Sequence, residues 1–127
     1  MDKFLDSVKL MARTGQFFAK SDGHYDATEE RFLKGFTYSL SILADLKNEE
    51  RKDVRNVLNE DSEFNELTND TQQLLEQYDD EKERQRMLEA FDQFIRVTIG
   101  ADGKIEREEA KHYKEWRRRM GLPENRH

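Results

Sequence analysis

Acidic residues recur at a matched spacing near the two ends of this sequence, and their type suits either cation binding or helix capping. The first stretch is Lys20-Ser21-Asp22-Gly23-His24-Tyr25-Asp26-Ala27-Thr28-Glu29-Glu30, and the second is Gly100-Ala101-Asp102-Gly103-Lys104-Ile105-Glu106-Arg107-Glu108-Glu109. An offset of 80 places Asp22 on Asp102, Gly23 on Gly103, Tyr25 on Ile105, Asp26 on Glu106 and Glu29 on Glu109. If the two bends converge about a pseudo-twofold axis, Asp22, Asp26, Glu29, Asp102, Glu106 and Glu109 share one end of the molecule. Their mutual repulsion would then be relieved by a hard divalent metal, Ca²⁺ or Mg²⁺ by ligand type. The alternative is that each bend serves only its own helix. Glycine supplies the left-handed stop, Asp26 or Glu106 stands at the N-cap, and Glu29 or Glu109 at N3 meets the positive helix end.

Other metal chemistries fit less well. Asp-Gly-x-apolar-x-x-x-Glu matches the second half of an EF-hand loop, but the first half would need carboxylates where Phe18, Lys20, Thr98 and Gly100 stand. Glu109-Ala110-Lys111-His112 has the Glu-x-x-His spacing of carboxylate-bridged iron sites, yet Phe32 occupies the position equivalent to the histidine in the first copy. His24 is a lone loop histidine. No nucleophile elbow, phosphate-cradling glycine loop, zinc spacing or Ser/His/Asp order is present, so the chain reads as non-enzymatic. A metal-dependent hydrolase built on the clustered carboxylates is a lesser alternative, without an assignable nucleophile.

The elements that must position these bends are helices. Strand-like alternation is absent, and the only proline is Pro123. Phe4, Val8, Met11, Gly15 and Phe18 predict a first helix over about 2 to 20, and Phe32, Leu33, Phe36, Leu40 and Leu43 a second over about 27 to 46. Asn48 is the expected cap of a helix carrying Val54, Val57 and Leu58, with a turn at Glu60-Asp61-Ser62. Phe64 and Leu67 are expected in a short docking turn, and Asn69 or Asp70 as the cap of a helix with Leu74, Leu75 and Tyr78. Asp79-Asp80 opens a helix striped by Met87, Leu88, Phe91, Ile95 and Ile99 and ending at Gly100. A last helix, about 106 to 120, repeats under the same offset the stepping of Glu30, Leu33, Phe36 and Leu40 as Ala110, Tyr113, Trp116 and Met120. Arg117, Arg118 and Arg119 close it, where cations favour the negative helix end, and Gly121 stops it. The triplet reads as a solvated terminus or, alternatively, a docking patch for an acidic partner.

The expected fold is therefore all-α, a compact bundle of about six to seven helices built from two pseudo-repeated hairpins, in a single domain over 1–127. The 127 residues suffice for one modest core. Charged residues make up 39% and hydrophobic ones 35%, yet eight Phe, four Tyr and one Trp at helical spacing argue for a folded chain over a disordered one. A net charge of −6 disfavours nonspecific nucleic-acid or anionic-membrane binding. The absence of cysteine fits a reducing compartment, and no apolar run approaches membrane-spanning length, so a cytoplasmic location is expected.

With Ser21-Asp22-Gly23 followed by Glu29, and Ala101-Asp102-Gly103-Lys104-Ile105 followed by Glu109, the chain resembles the TerB-like family, named for a tellurite-resistance protein. The likeness covers nearly the whole chain. It implies a helical bundle whose acidic bends bind a divalent metal, acting in bacterial stress response with protein partners, often beside membrane-associated ones. Carried over by position, the metal ligands would be Asp22, Asp26, Glu29, Asp102, Glu106 and Glu109. The sequence departs from that pattern in its charged middle, about Asn48 to Tyr78, and in the longer acid at Glu106. A helical protein-interaction module without metal is the main alternative.

Overall fold

The computed structural model describes residues 3–20, 27–43, 45–58, 62–100 and 107–122. Among these the chain is all-helical with no strand: α1 (Lys3–Lys20), α2 (Ala27–Leu43), α3 (Asn48–Val57), α4 (Phe64–Glu76), α5 (Glu81–Ile99) and α6 (Arg107–Arg119). The all-α expectation holds.

The centre of the bundle is α1, which packs against each of the other five helices and most extensively against α5. From Leu5 to Lys20 none of its residues is exposed. A central helix must therefore bury polar groups as well as apolar ones, and each needs a partner. Thr14 donates to the Leu10 carbonyl at 2.8 Å, and the Gln16 amide donates to the Leu58 carbonyl at the end of α3. Gln16 thereby satisfies one of the carbonyls a helix end leaves without an intrahelical donor. At Gly15 an added Cβ would lie 2.7 Å from Leu33 Cδ2 on α2 and 2.7 Å from Phe94 Cζ on α5. Only glycine lets these three helices approach so closely.

Around α1 the core collects Phe18, Leu33, Val54, Leu67, Phe91, Phe94, Ile95 and Trp116, all essentially inaccessible to solvent. Arg13 ties α1 to α4, reaching Asp70 at 3.0 Å, Glu66 at 3.3 Å and the Ser62 hydroxyl at 3.3 Å. Arg84, on the first turn of α5, donates to the carbonyls of Leu75 at 3.1 Å and Tyr78 at 2.7 Å, so a cation closes the negative end of α4.

Several boundaries correct the sequence expectations. Phe64 and Leu67 do not form a separate turn before a helix capped by Asn69 or Asp70; α4 runs unbroken from Phe64 to Glu76. The polar residues at 68–70 stay helical because Leu67 and Leu74 are buried on one face of the same helix and Thr71 closes its hydroxyl on the Leu67 carbonyl at 2.8 Å. Asn48 is the first residue of α3 rather than its cap. Lys47 takes that place, and its backbone N–H is accepted by Glu50 Oε1 at 2.9 Å. The second helix stops at Leu43, short of 46, and Asp45 follows with φ of 55°. Asp80 is the N-cap of α5, as read, accepting from the Lys82 N–H at 2.9 Å. Gly121, with φ of 76°, ends α6 in the left-handed conformation that glycine allows.

Candidate functional site

Of the six expected metal ligands, Asp22, Asp26, Asp102 and Glu106 lie outside the described residues, as do His24 and the whole of both Asp-Gly bends. Glu29 falls in α2, but its side chain is outside the described set. Glu109 is the one whose side chain can be placed. It lies in the first turn of α6 and is only 2% exposed, so it is a buried acid rather than a solvated cap. Among the described residues no group of three or more His, Asp or Glu gathers as a metal site. His112, three positions beyond Glu109, is occupied otherwise. Its Nδ1 lies 2.9 Å from the Glu108 carbonyl, and its ring meets Phe17 at 5.0 Å and Phe64 at 5.4 Å between centroids. That aromatic setting leaves the Glu-x-x-His spacing without an iron-site geometry.

Besides the Arg13 cluster between α1 and α4, the described residues assemble two charged sites on α6. The first is buried. Asp92 on α5 accepts from the Tyr113 hydroxyl at 2.8 Å and from Arg117 Nη1 at 2.6 Å through the same Oδ1, while Arg96 reaches Oδ2 at 3.3 Å. Arg117 also lies 3.3 Å from the Tyr113 oxygen and 5.7 Å from its ring centroid. Burial, and then the bond to Asp92, hold the Tyr113 phenol protonated beyond its ordinary range. For Arg117 burial opposes the charge, but the bonds to Asp92 and Tyr113 more than offset it and raise the pKa further. This network joins α5 to α6, and its Arg96, Tyr113 and Arg117 also line the groove described below.

The second site is open. Glu115 sits between Arg118 and Arg119, which hold its carboxyl well below the usual range, at about 2. Arg119 reaches it at 3.2 Å, and Arg118 pairs with both of its oxygens. Arg119 extends further, over the Phe64 ring at 4.9 Å and to Asn65 Oδ1 at 2.6 Å, and so fastens the end of α6 to the start of α4. Beside this end runs a groove of about 1100 Å³ whose lining includes Phe64, Ile99 and Leu122 among Arg96, Lys111 and Arg118. The whole helix carries Arg107, Lys111, Lys114, Arg117, Arg118 and Arg119 against Glu108, Glu109 and Glu115, a net +3 within a chain of net −6. One side of an acidic molecule is thus basic, with apolar surface between the charges.

Sequence reasoning noted the arginine triplet but missed its partners, since Asp92 and Phe64 are far from it in the chain. The period of α6 did hold one clue: Tyr113 and Arg117 are four apart and therefore share a face.

No family model matches the chain, and neither a curated protein nor a solved structure does. The site must be read from its own chemistry.

Proposed function

We propose that this chain is a non-enzymatic helical domain of TerB-like type that engages an acidic, partly apolar segment of a partner protein along α6. The observation that carries this reading is the groove in which Phe64, Ile99 and Leu122 lie between Arg96, Lys111 and Arg118. Arginine and aromatic residues around apolar surface are the composition of protein interfaces. A nucleic acid would meet a net charge of −6 and a carboxylate, Glu115, inside the patch. None of the described helices is long and apolar enough to cross a membrane.

The test is an amide chemical-shift titration of the full chain with an amphipathic helical peptide bearing Glu on one face and Leu on the other. Shifts should saturate along α6, weaken with salt and vanish in Lys111→Glu with Arg118→Glu. Shifts scattered over the surface, or stronger ones with duplex DNA, would remove the reading.

A second reading, cation binding at the acidic bends, draws support from one contact. Phe17, in the last turn of α1, touches His112, in the second turn of α6, so helix ends that flank the two bends are neighbours. Calorimetry with Ca²⁺, Mg²⁺, Mn²⁺ and Zn²⁺ tests it. Heat and thermal stabilisation should be lost when Asp22 and Asp102 are both replaced by Asn, and no response to any of the four ions would end it.

A further inference from the structure

A second recess lies on another side of the bundle, between α2 and α3. It is a crevice of about 200 Å³ lined by Thr37, Tyr38 and Ser41 from α2 and by Asn48, Arg51 and Arg55 from α3. Pockets that hold drug-sized ligands start at about 300 Å³, so this volume suits a small group and not a whole nucleotide.

The lining is rich in donors. Arg51 and Arg55 are one helical turn apart and face the same way, an arrangement in which two cations repel. Arg51 Nε donates to the Leu46 carbonyl at 3.0 Å, which fixes that side chain and leaves its terminal nitrogens for another acceptor. Among the described residues no carboxylate lines the crevice, although α3 itself carries three. Two of those three are directed elsewhere. Glu50 turns back to the Lys47 N–H, and Asp53 lines a different recess with Lys9 and Arg13.

Thr37 supplies the independent observation. Buried helical hydroxyls in this protein close on a carbonyl of the preceding turn: Thr14 on Leu10, Thr71 on Leu67 and Thr98 on Phe94, each at 2.8 Å. Thr37 is just as buried, at 2% exposure, yet its Oγ1 meets no hydrogen-bond partner among the described residues. A buried hydroxyl without a partner carries its full desolvation penalty. Thr37 lines the same crevice as the two arginines.

We infer that this crevice is a binding site for a phosphate-class anion, either the free ion or the phosphoryl group of a monoester. Arg51 and Arg55 would hold the anion by charge-assisted bonds, Thr37 would donate from the crevice wall, and Tyr38, half out in solvent, would flank the ester side. The inference does not depend on the α6 groove, which lies on other helices.

The experiment is a titration of the full chain at constant ionic strength, followed by amide chemical shifts, with inorganic phosphate in one arm and phenyl phosphate in the other. Saturating shifts at Thr37, Tyr38, Ser41, Arg51 and Arg55 are expected in at least one arm. Tighter binding of phenyl phosphate assigns the site to an ester, and equal binding to the free ion. Arg51→Gln with Arg55→Gln should weaken the affinity by about tenfold or more, the loss expected when charge-assisted bonds are removed. Arg55 is exposed and Arg51 half-buried, so the double variant should keep its fold, as an unchanged helical spectrum would verify. Thr37→Val keeps the shape without the hydroxyl. It should raise the melting temperature in phosphate-free buffer and shrink the further rise that phosphate produces. Two results overturn the inference: no saturation at these residues with either probe, or shifts that survive unchanged in the double arginine variant.

Discussion

Arg117, Arg118 and Arg119 are neighbours in sequence and identical in type, yet the two sides of α6 give them different work. The side chain of Arg117 is 15% exposed and bonded to Asp92 and Tyr113, that of Arg118 is 73% exposed, and that of Arg119, at 32%, spans both environments. On the buried side the charge is removed from water, so the pair matters chiefly through what happens when one partner is lost. On the open side water and salt screen the same pair of charges, and holding two long side chains together costs entropy that offsets the gain. A short distance therefore does not measure a contribution to stability. The pair between Arg118 and Glu115 is as close as that between Arg117 and Asp92, and its effect should be far smaller.

The sharpest way to break this comparison is Asp92→Asn. It leaves Arg117 beside an amide instead of a carboxylate, and urea unfolding at neutral pH should show a loss of about 3 kcal/mol. A loss no larger than that of surface variants would mean that the buried network is as well solvated as the open one. Tyr113→Phe removes one donor to Asp92 while keeping the ring, and about 1.5 kcal/mol should go. The same tyrosine gives a pH test. Its folded pKa lies above the unfolded value of 10.0, so its contribution is complete below pH 10.0 and is lost as pH rises through the folded value. Ultraviolet titration should show one of the four tyrosines ionising late, and Tyr113→Phe should flatten the alkaline fall in stability.

Smaller effects come from the open side. Arg119→Ala should cost about 1 kcal/mol, mostly through lost packing on Phe64 and the bond to Asn65, and much of that loss should persist in high salt. Glu115→Gln should lower the unfolding midpoint only slightly in low salt and not at all in high salt. The Glu115 carboxyl should titrate below the ordinary carboxylate range in low salt by NMR. Its folded value is depressed, so whatever it contributes is present above the ordinary carboxylate range and fades as pH falls toward 2. Added salt should move that midpoint upward.

The outline of this arrangement was legible in the chain, residue by residue. Asp80 announced the start of α5, the stripe from Met87 to Ile99 its buried face, and Gly121 the end of α6, because caps and helical period are local properties. The middle of the chain was less legible. Asn69 and Asp70 look like a cap, but Leu67 and Leu74 sit seven residues apart on one buried face, and that face holds a single helix together. The end of α6 misled in the other direction. Three arginines in a last turn satisfy the helix dipole whether or not anything faces them, so their spacing could not separate a solvated terminus from an anchor in Asp92. The burial of Glu109 was equally hidden, since position N3 suits a glutamate in water just as well.

By itself the sequence determined the fold class and the run of helices, because helical period and capping depend on residues within a few positions of one another, and it carries an acidic Asp-Gly pattern twice at an offset of 80. Tertiary structure decided which polar groups lose water: it set Asp92 against Tyr113 and Arg117, seated Phe64 beneath Arg119, and enclosed Thr37 beside Arg51 and Arg55 without an acceptor. Those pairings join residues some 14 to 55 positions apart. What a charge or a hydroxyl does depends on the dielectric and the partners around it, and packing alone supplies both.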